Sequence, residues 1–542
     1  MWLDCAKIDY GNFYKRQIGF WGNYYCFWFA FEFCASAMKF RFFNARPIIL
    51  ILISLVVGIM LTNYFYTSKT IFVAILLVFL GVVVFYSIYY KKLRICIVMF
   101  LTALIGSLSL QIFIFNFYKT DNVAVGDEIE CVVVQKRDKY ENRFLVKEIT
   151  DNGTKYDFNA YVNCTINDDL HFNEGNVIKF TVNSIYEYGL TREGADIIST
   201  DVVGGRVKYS FSTDKIEKLS SKTTVRHNIK SRIKALLNNA LSNENVELMY
   251  SALLGDKAEL NKGLYSKYQM SGVAHILAVS GLHVGLIVLI LKKILQSVKA
   301  NKYVILTTIV AFLFGYAYIC NWSYSVVRAS IMAVVVILAP IFFREYDFLS
   351  AIGFAGTIIL LITPFALFDI SFVLSFMSVL GICLVYPIIH KFLKKYKKCN
   401  WFAESLGISI ATNLAILVPS VYYFQSFNPI GILANILVLP LFGFIFTATF
   451  VVLIISLVVP FASYVLYLIN PVVNLLNLTT SIISSYDFSI VANKIKFLSI
   501  VTYAMVLFFA SKYNIKKSTA KAVSVVCALS IFALQLGVGF IV

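Results

Sequence analysis

An apolar run of about 20 residues constrains a chain more than any motif, because at roughly 1.5 Å per helical residue it matches the hydrocarbon thickness of a bilayer. This sequence repeats that feature along most of its 542 residues. Residues 47–66, 70–90 and 95–117 are each apolar and long enough to cross. Further spans read out at 268–291, 303–320, 324–343, 348–366, 369–388, 401–423, 441–459, 461–483, 498–511 and 522–541. With 59% hydrophobic and only 14% charged residues, against about 25% charged in soluble domains, a soluble enzyme is excluded. The expected fold class is a polytopic α-helical membrane protein with about 13 spans, interrupted by one polar domain.

The charge is divided unevenly. Residues 118–250 hold 18 Lys and Arg against 20 Asp and Glu, so the net +18 of the chain comes from the membrane portion. There it sits in short clusters: Lys39, Arg41 and Arg46; Lys91, Lys92 and Arg94; Lys292, Lys293, Lys299 and Lys302; Arg344; Lys391 to Lys398; Lys512 to Lys521. The positive-inside rule puts these clusters in the cytoplasm, leaving Lys494 and Lys496 on the other side. Residues 118–250 and the C-terminus are then extracytoplasmic, and the expected location is the bacterial cytoplasmic membrane.

Five regions follow. Residues 1–37 carry Trp2, Trp21 and Trp28 with Cys5, Cys26 and Cys34, unlike the rest, and Met38 opens a basic flank to an apolar span. They are expected to be an upstream extension, the alternative being an aromatic helix at about 17–38. Residues 38–117 are N-terminal membrane helices. Within 118–215 the period changes to two: Ile129, Cys131 and Val133 alternate with Glu128, Glu130 and Val132, and Tyr156, Phe158, Ala160, Val162 and Cys164 with polar residues. About five short strands suit a small closed β-barrel of the OB type. Cys131 and Cys164 fall on the apolar side of their strands, and a disulfide and two free thiols both remain open. Residues 216–262 are expected to be amphipathic and interfacial, with Ile229, Ile233, Leu236, Leu237 and Ala240 on one face and Lys230, Ser231, Lys234, Asn238 and Asn239 on the other. Residues 263–542 form the second membrane block.

Polar groups inside apolar runs are costly unless they face a bundle interior or a wet path. His275, Ser280 and His283, with Gly272, Gly281 and Gly285, stand in or beside one expected span. Arg328 is the best buried cation, and Asp369, near the end of its own span, is its expected partner. Asn413 and Asn435, with Pro419, Gln425 and Pro440, mark segments expected to border a cavity, and the run Pro429 to Val459 exceeds one ordinary span, so it is expected to begin as a re-entrant or surface piece. In the β domain, OB-folds stack bases on aromatics in a basic groove. The candidates are Tyr140, Phe144, Tyr156 and Tyr161 beside Lys136, Arg137, Lys139 and Arg143. The domain's slight acidity opposes strong phosphate binding, and alternating aromatics also serve as barrel core.

Five blocks carry a resemblance: Leu253-Leu-Gly-Asp-Lys257, Gly272-Val-Ala-His-Ile-Leu-Ala-Val-Ser-Gly-Leu-His-Val-Gly285, Ser325-Val-Val-Arg-Ala-Ser-Ile-Met332, Asp369-Ile-Ser-Phe-Val-Leu-Ser-Phe376, and Asn428-Pro-Ile-Gly-Ile-Leu-Ala-Asn-Ile-Leu-Val-Leu-Pro440. In order and spacing they resemble the ComEC DNA-internalisation family, over about residues 40–510. The resemblance implies a competence-type channel at 263–542 that passes single-stranded DNA inward during natural transformation. It also implies an outward OB-like module, a membrane-tethered DNA receptor outside and a cytoplasmic ATPase-helicase; membrane lipid and a homodimer are the other expected partners. Many members carry a metallo-β-lactamase-like nuclease domain with a His-x-His-x-Asp-His metal motif. None of the five histidines here, His171, His227, His275, His283 and His390, forms it. The chain is therefore expected to be no enzyme, to hold no metal or cofactor, and to rely on a separate nuclease. It has no Gly-x-x-x-x-Gly-Lys-Ser/Thr loop, so energy would come from a partner or the membrane potential.

Two other readings stand beside this. Ala278-Val-Ser-Gly281 echoes an intramembrane serine protease, but His283 is three residues along the same helix and His390 sits at a helix end. A transporter of a small molecule or a lipid-linked envelope intermediate would use the same kind of helices.

Overall fold

The computed structural model describes residues 46–65, 93–117, 123–136, 143–151, 153–156, 159–164, 172–187, 207–257, 260–393, 400–456, 459–486, 490–491 and 497–511. The expected extension at 1–37 and the spans at 70–90 and 522–541 lie outside these residues.

The first two helices, α1 (Pro47–Phe65) and α2 (Leu93–Phe117), meet through small residues. A Cβ on Gly58 would lie 1.9 Å from the Ala103 carbonyl oxygen, and one on Gly106 would lie 2.7 Å from that of Leu55. Between apolar helices in lipid such close approach is the main source of packing energy. Thr62 Oγ1 donates to Ser107 Oγ at 2.8 Å and adds a polar tie.

The polar domain is one mixed sheet. Strand β1 (Glu128–Lys136) pairs antiparallel with β2 (Arg143–Asp151), which pairs with β3 (Thr154–Tyr156) and β4 (Asn159–Cys164). Strands β5 (Val177–Thr181) and β6 (Ser184–Glu187) are separated by Val182 and Asn183 alone. β5 pairs with β1, while β6 pairs with β7 (Val207–Thr213), which runs parallel to β4. β8 (Ile216–Ser220) adds to the far side of β5. The eight strands exceed the expected five because one bent run is counted twice and β3 and β8 are short additions. The period-two reading holds at β1: Ile129, Cys131 and Val133 are fully buried, with Phe144, Val146, Ala160, Val162 and Phe211. β2 lies between the strands of the two cysteines, and Cys131 and Cys164 are not bonded to each other.

The expected interfacial helix is two helices, α3 (Val225–Asn238) and α4 (Asn243–Leu254). Lys230, expected on the polar face, is buried and bonds Asp256 at 3.0 Å. A heptad separates it from Leu237, so the two share the inner face, and the carboxylate there compensates the buried ammonium.

The expected span at 268–291 is broken. Helix α5 (Lys262–Met270) stops at Gly272, which has φ +73°, a turn of 3-10 helix covers Ala274–Leu277, and α6 (Gly281–Ser297) starts behind Ser280 as N-cap. Only glycine adopts that left-handed backbone freely. Helices α7 (Lys302–Ile319), α8 (Tyr324–Ile341) and α9 (Phe348–Ile362) follow. The span expected at 369–388 is α10 (Ile370–Leu384) and α11 (Tyr386–Leu393), bent by 42°. α12 (Asn400–Phe424) and α13 (Gly431–Ser456) run continuously through Pro419 and Pro440. The expected separate surface piece after Pro429 and the proline breaks are therefore absent. A proline removes a single ladder bond, which a helix packed on its neighbours tolerates. At 26 residues, α13 exceeds a span by several residues, a length that tilt or protrusion absorbs. α14 (Leu466–Ser484) and α15 (Leu498–Ala510) complete the described helices, and strands β9 (Ser426–Phe427) and β10 (Ile490–Val491) pair between them.

Among the described residues six helices are long and apolar enough to cross a membrane, or seven with the bent pair as one. Segments 47–63, 348–362 and 499–510 are shorter apolar helices. The helices pack into two apolar bodies. One gathers α1, α2, α9, α10 and α15; the other gathers α4 to α7, α13 and α14. α8 belongs to both, through Met332 on one side and Val326 and Ala329 on the other.

Candidate substrate path

The five blocks that are far apart in sequence converge. A Cβ on Gly272 would fall 2.6 Å from Gly431 Cα, so the turn after α5 lies directly on the start of α13. Asn428 Nδ2 donates to the Met270 carbonyl and locks the same junction. Gly255, with φ +72° at the end of α4, packs on Val279, and Tyr316 Oη donates to the Leu253 carbonyl at 2.8 Å. Ser325 of α8 meets Ser375 of α10 at 3.1 Å. Glycines at these crossings are required by space or by positive φ, which accounts for their place in the blocks.

Ser280 and His283 form a capping box. The Ser280 N–H donates to His283 Nδ1 at 2.9 Å, Ser280 Oγ lies 2.8 Å from the same nitrogen, and Leu282 N donates to Ser280 Oγ at 3.3 Å. Nδ1 is thus the acceptor and Nε2 carries the ring proton. His283 is buried, edge-on to Phe442 and Phe446 of α13 at 5.1 and 4.7 Å. The serine–histidine contact is thereby explained as a helix start, satisfying backbone donors that α6 leaves open. His275, on the 3-10 turn, is exposed.

Arg328 lies on α8 where the two bodies meet and is 4% exposed. It does not pair with Asp369: that carboxylate caps α10, accepting from Ser371 N at 2.8 Å and Phe372 N at 3.2 Å. Two N–H groups at a helix start outcompete a more distant guanidinium. Arg328 instead lies over the Phe376 ring of α10, 5.8 Å from its centroid.

A cavity of about 410 Å³ opens between the β domain and the helices. Val134 of β1 and Glu174 of the turn before β5 line it from the β domain, Arg226 and Lys230 from α3, and Ser323 and Asp369 from the starts of α8 and α10. Arg226 pairs with Glu174 and donates to Asn321 Oδ1 at 2.7 Å, so it joins sheet, α3 and the α7–α8 turn. Both cations on this wall are already paired, Arg226 with Glu174 and Lys230 with Asp256. These partners escaped sequence reading because Glu174 and Arg226 are 52 residues apart, with no local period to relate them.

Asn413 and Asn435 form a second polar group, around Ser409. Asn413 Nδ2 bonds the Ser409 carbonyl at 2.9 Å, and Asn435 Nδ2 reaches Ser409 Oγ at 3.4 Å. The Asn413 bond stays within α12, whereas the Asn435 bond and that from Ser409 Oγ to the Ile432 carbonyl at 2.9 Å tie α12 to α13. In the β domain, Phe144 is fully buried and edge-on to Phe172, and Tyr161 is 3% exposed, so both are core residues and not stacking platforms. Arg137, Lys139 and Tyr140 lie outside the described residues, and Lys136, Arg143 and Tyr156 occupy strand positions.

Residues 252–517 match the family described as Competence protein. ComE operon protein 3 of Bacillus subtilis (strain 168) is 24% identical over 245 residues, 44% of this chain and 30% of that protein. Recombination protein 2 of Haemophilus influenzae is 26% identical over 211 residues, 36% of this chain and 27% of that protein. An uncharacterized protein of Aquifex aeolicus is 34% identical over 173 residues, 32% of this chain and 38% of that protein. The match thus spans about a third of the length of these relatives. No solved structure matches the chain. Through residues 252–517, where all five blocks meet at one seam, the chain belongs to the competence protein family.

Proposed function

We propose that the chain is a channel for one strand of DNA, taken inward across the bacterial cytoplasmic membrane during natural transformation. The observation that carries this reading is the convergence of the five family blocks on the seam between two helix bodies, where Arg328 is held. A polyanion crossing hydrocarbon needs a lining of that kind. The test is delivery of labelled DNA to the cytoplasm in cells lacking the chain and in the same cells re-expressing residues 38–542. Restored delivery supports the channel. Its absence in wild-type cells that hold the protein in the membrane gives first place to a transporter of a small molecule or lipid-linked intermediate.

The polar domain fits an OB-like barrel. The circuit β1, β2, β4, β7 and the bent β6–β5 run returns to β1, with the parallel β4–β7 pair inside it. The sidedness reading has support from contacts as well. Arg46 pairs with Asp347 at 2.7 Å, next to Arg344, and Lys302 lies over Phe343, so groups assigned to the cytoplasm lie together. On the opposite side, Arg226 of the polar segment reaches Asn321. In this reading the chain performs no catalysis itself. An outer DNA receptor, an inner ATPase-helicase and a separate nuclease complete the system, with a homodimer as the assembly.

A further inference from the structure

Arg328 carries an electrostatic problem that its surroundings do not solve. It is 4% exposed, its Nε is fully buried without a hydrogen-bond partner, and no hydrogen bond or ion pair reaches its guanidinium among the described residues. The guanidinium lies over the ring of Phe376, a weak attraction compared with a carboxylate. Its Nη2 lies 2.9 Å from where a Cβ on Gly281 would stand, so the guanidinium is aimed at the first residue of α6. That helix is 17 residues long, and its N-terminus carries roughly half a positive charge; Ser280 Oγ takes up the Leu282 N–H, while the Gly281 N–H beside the guanidinium has no acceptor among the described residues. Two positive groups therefore face each other in a buried place with no counter-charge. An unpaired buried ion costs several kcal/mol, and an anion between them removes both penalties.

We propose that Arg328 and the N-terminus of α6 form a transient site for a single phosphodiester of the transported strand, a step that rests on the channel reading above. The guanidinium offers a planar fork that matches two phosphate oxygens, and the start of a helix supplies its dipole and the Gly281 N–H, which the cap leaves open, to the same kind of anion. Gly281 brings the helix backbone close to Nη2, because any side chain there would intrude. The cavity comes near it: Tyr324, which lines the cavity, stands four residues before Arg328 on α8, about 6 Å along the helix axis. The two cations in that cavity wall are neutralised by Glu174 and Asp256, so Arg328 is where a strand would first meet an uncompensated positive charge. One cation for one singly charged diester also suits conduction, which needs binding weak enough for release.

The experiment uses the full chain in phosphatidylcholine nanodiscs and measures binding of a fluorescent oligothymidylate, with an uncharged methylphosphonate oligomer of the same length as comparison. Wild type is expected to prefer the charged backbone. Arg328→Gln should weaken that binding about tenfold and reduce the slope of log affinity against log salt by about 0.7, the value for one lost phosphate contact on a single strand. Arg328→Lys should keep the slope, and Gly281→Ala should weaken binding with the charge retained. A purely structural role would change affinity or yield without the slope. An unchanged slope and affinity in folded Arg328→Gln overturns this site and leaves the channel reading standing. No binding of either oligomer by wild type overturns the channel reading. Loss of the Arg328-dependent part on adding phosphatidylglycerol assigns the site to a lipid headgroup and overturns the strand assignment.

Discussion

Gly58 and Gly315 look alike in sequence, each a glycine within an apolar helix, yet their surroundings give opposite predictions. A Cβ on Gly58 would meet the Ala103 carbonyl at 1.9 Å, whereas one on Gly315 meets nothing within 4 Å. Gly58→Ala should force α1 from α2 and cost about 1–3 kcal/mol. Gly315→Ala should be neutral or add up to about 1 kcal/mol from helix propensity. Thermal unfolding in detergent checks both. In the β domain, burial and the neighbouring Asp127 raise the Asp151 carboxyl above its ordinary value. The folded state therefore binds this proton more tightly than the unfolded chain, whose carboxyl titrates near about 3.9. The group favours folding below that pH and disfavours it as the pH rises through the raised value. Asp151→Asn should accordingly raise the melting temperature by a few degrees at pH 7 and leave it nearly unchanged in acid. Neither pair was legible beforehand, since both depend on what the other chain segments bring alongside.

At the scale of elements, period decided what could be read. Period two placed Ile129, Cys131 and Val133 in the core of β1. It could not say whether Phe144 and Tyr161 faced a groove or the interior, because both alternatives fit the same alternation. In α3 the apolar stripe is legible, but the helical spacing puts Lys230 on the polar face, and its place is fixed by Asp256, 26 residues away. Removing one member of that pair, as in Lys230→Ala, should cost about 3–5 kcal/mol by leaving a buried charge. Lys230→Met combined with Asp256→Leu should recover most of it, and a double-mutant cycle on unfolding free energies reads the difference. The break between α5 and α6 was signalled by Gly272 and Ser280, a left-handed glycine and an N-cap. Continuous apolarity concealed it, as hydropathy windows do not register backbone conformation.

For the whole molecule, orientation is the claim most open to direct test. In a chain with its native cysteines replaced, a cysteine at Asn321 should react with an impermeant maleimide in intact cells, and one at Lys299 only after lysis. The opposite labelling would invert the topology and reverse the proposed direction of transport.

Apolar run length and basic clusters sufficed to make this a multi-span membrane protein with one polar β domain, because the cost of burying peptide and charge in hydrocarbon acts locally along a chain. The five blocks likewise marked the family from the residues alone. Tertiary structure decided what those blocks do together: it set Gly272 on Gly431, gave Asp369 to the start of α10, and left Arg328, in the seam between two helix bodies, without an ion pair among the described residues. Pairing of charges depends on distances of a few ångströms between segments tens to hundreds of residues apart, and only the folded chain defines those distances.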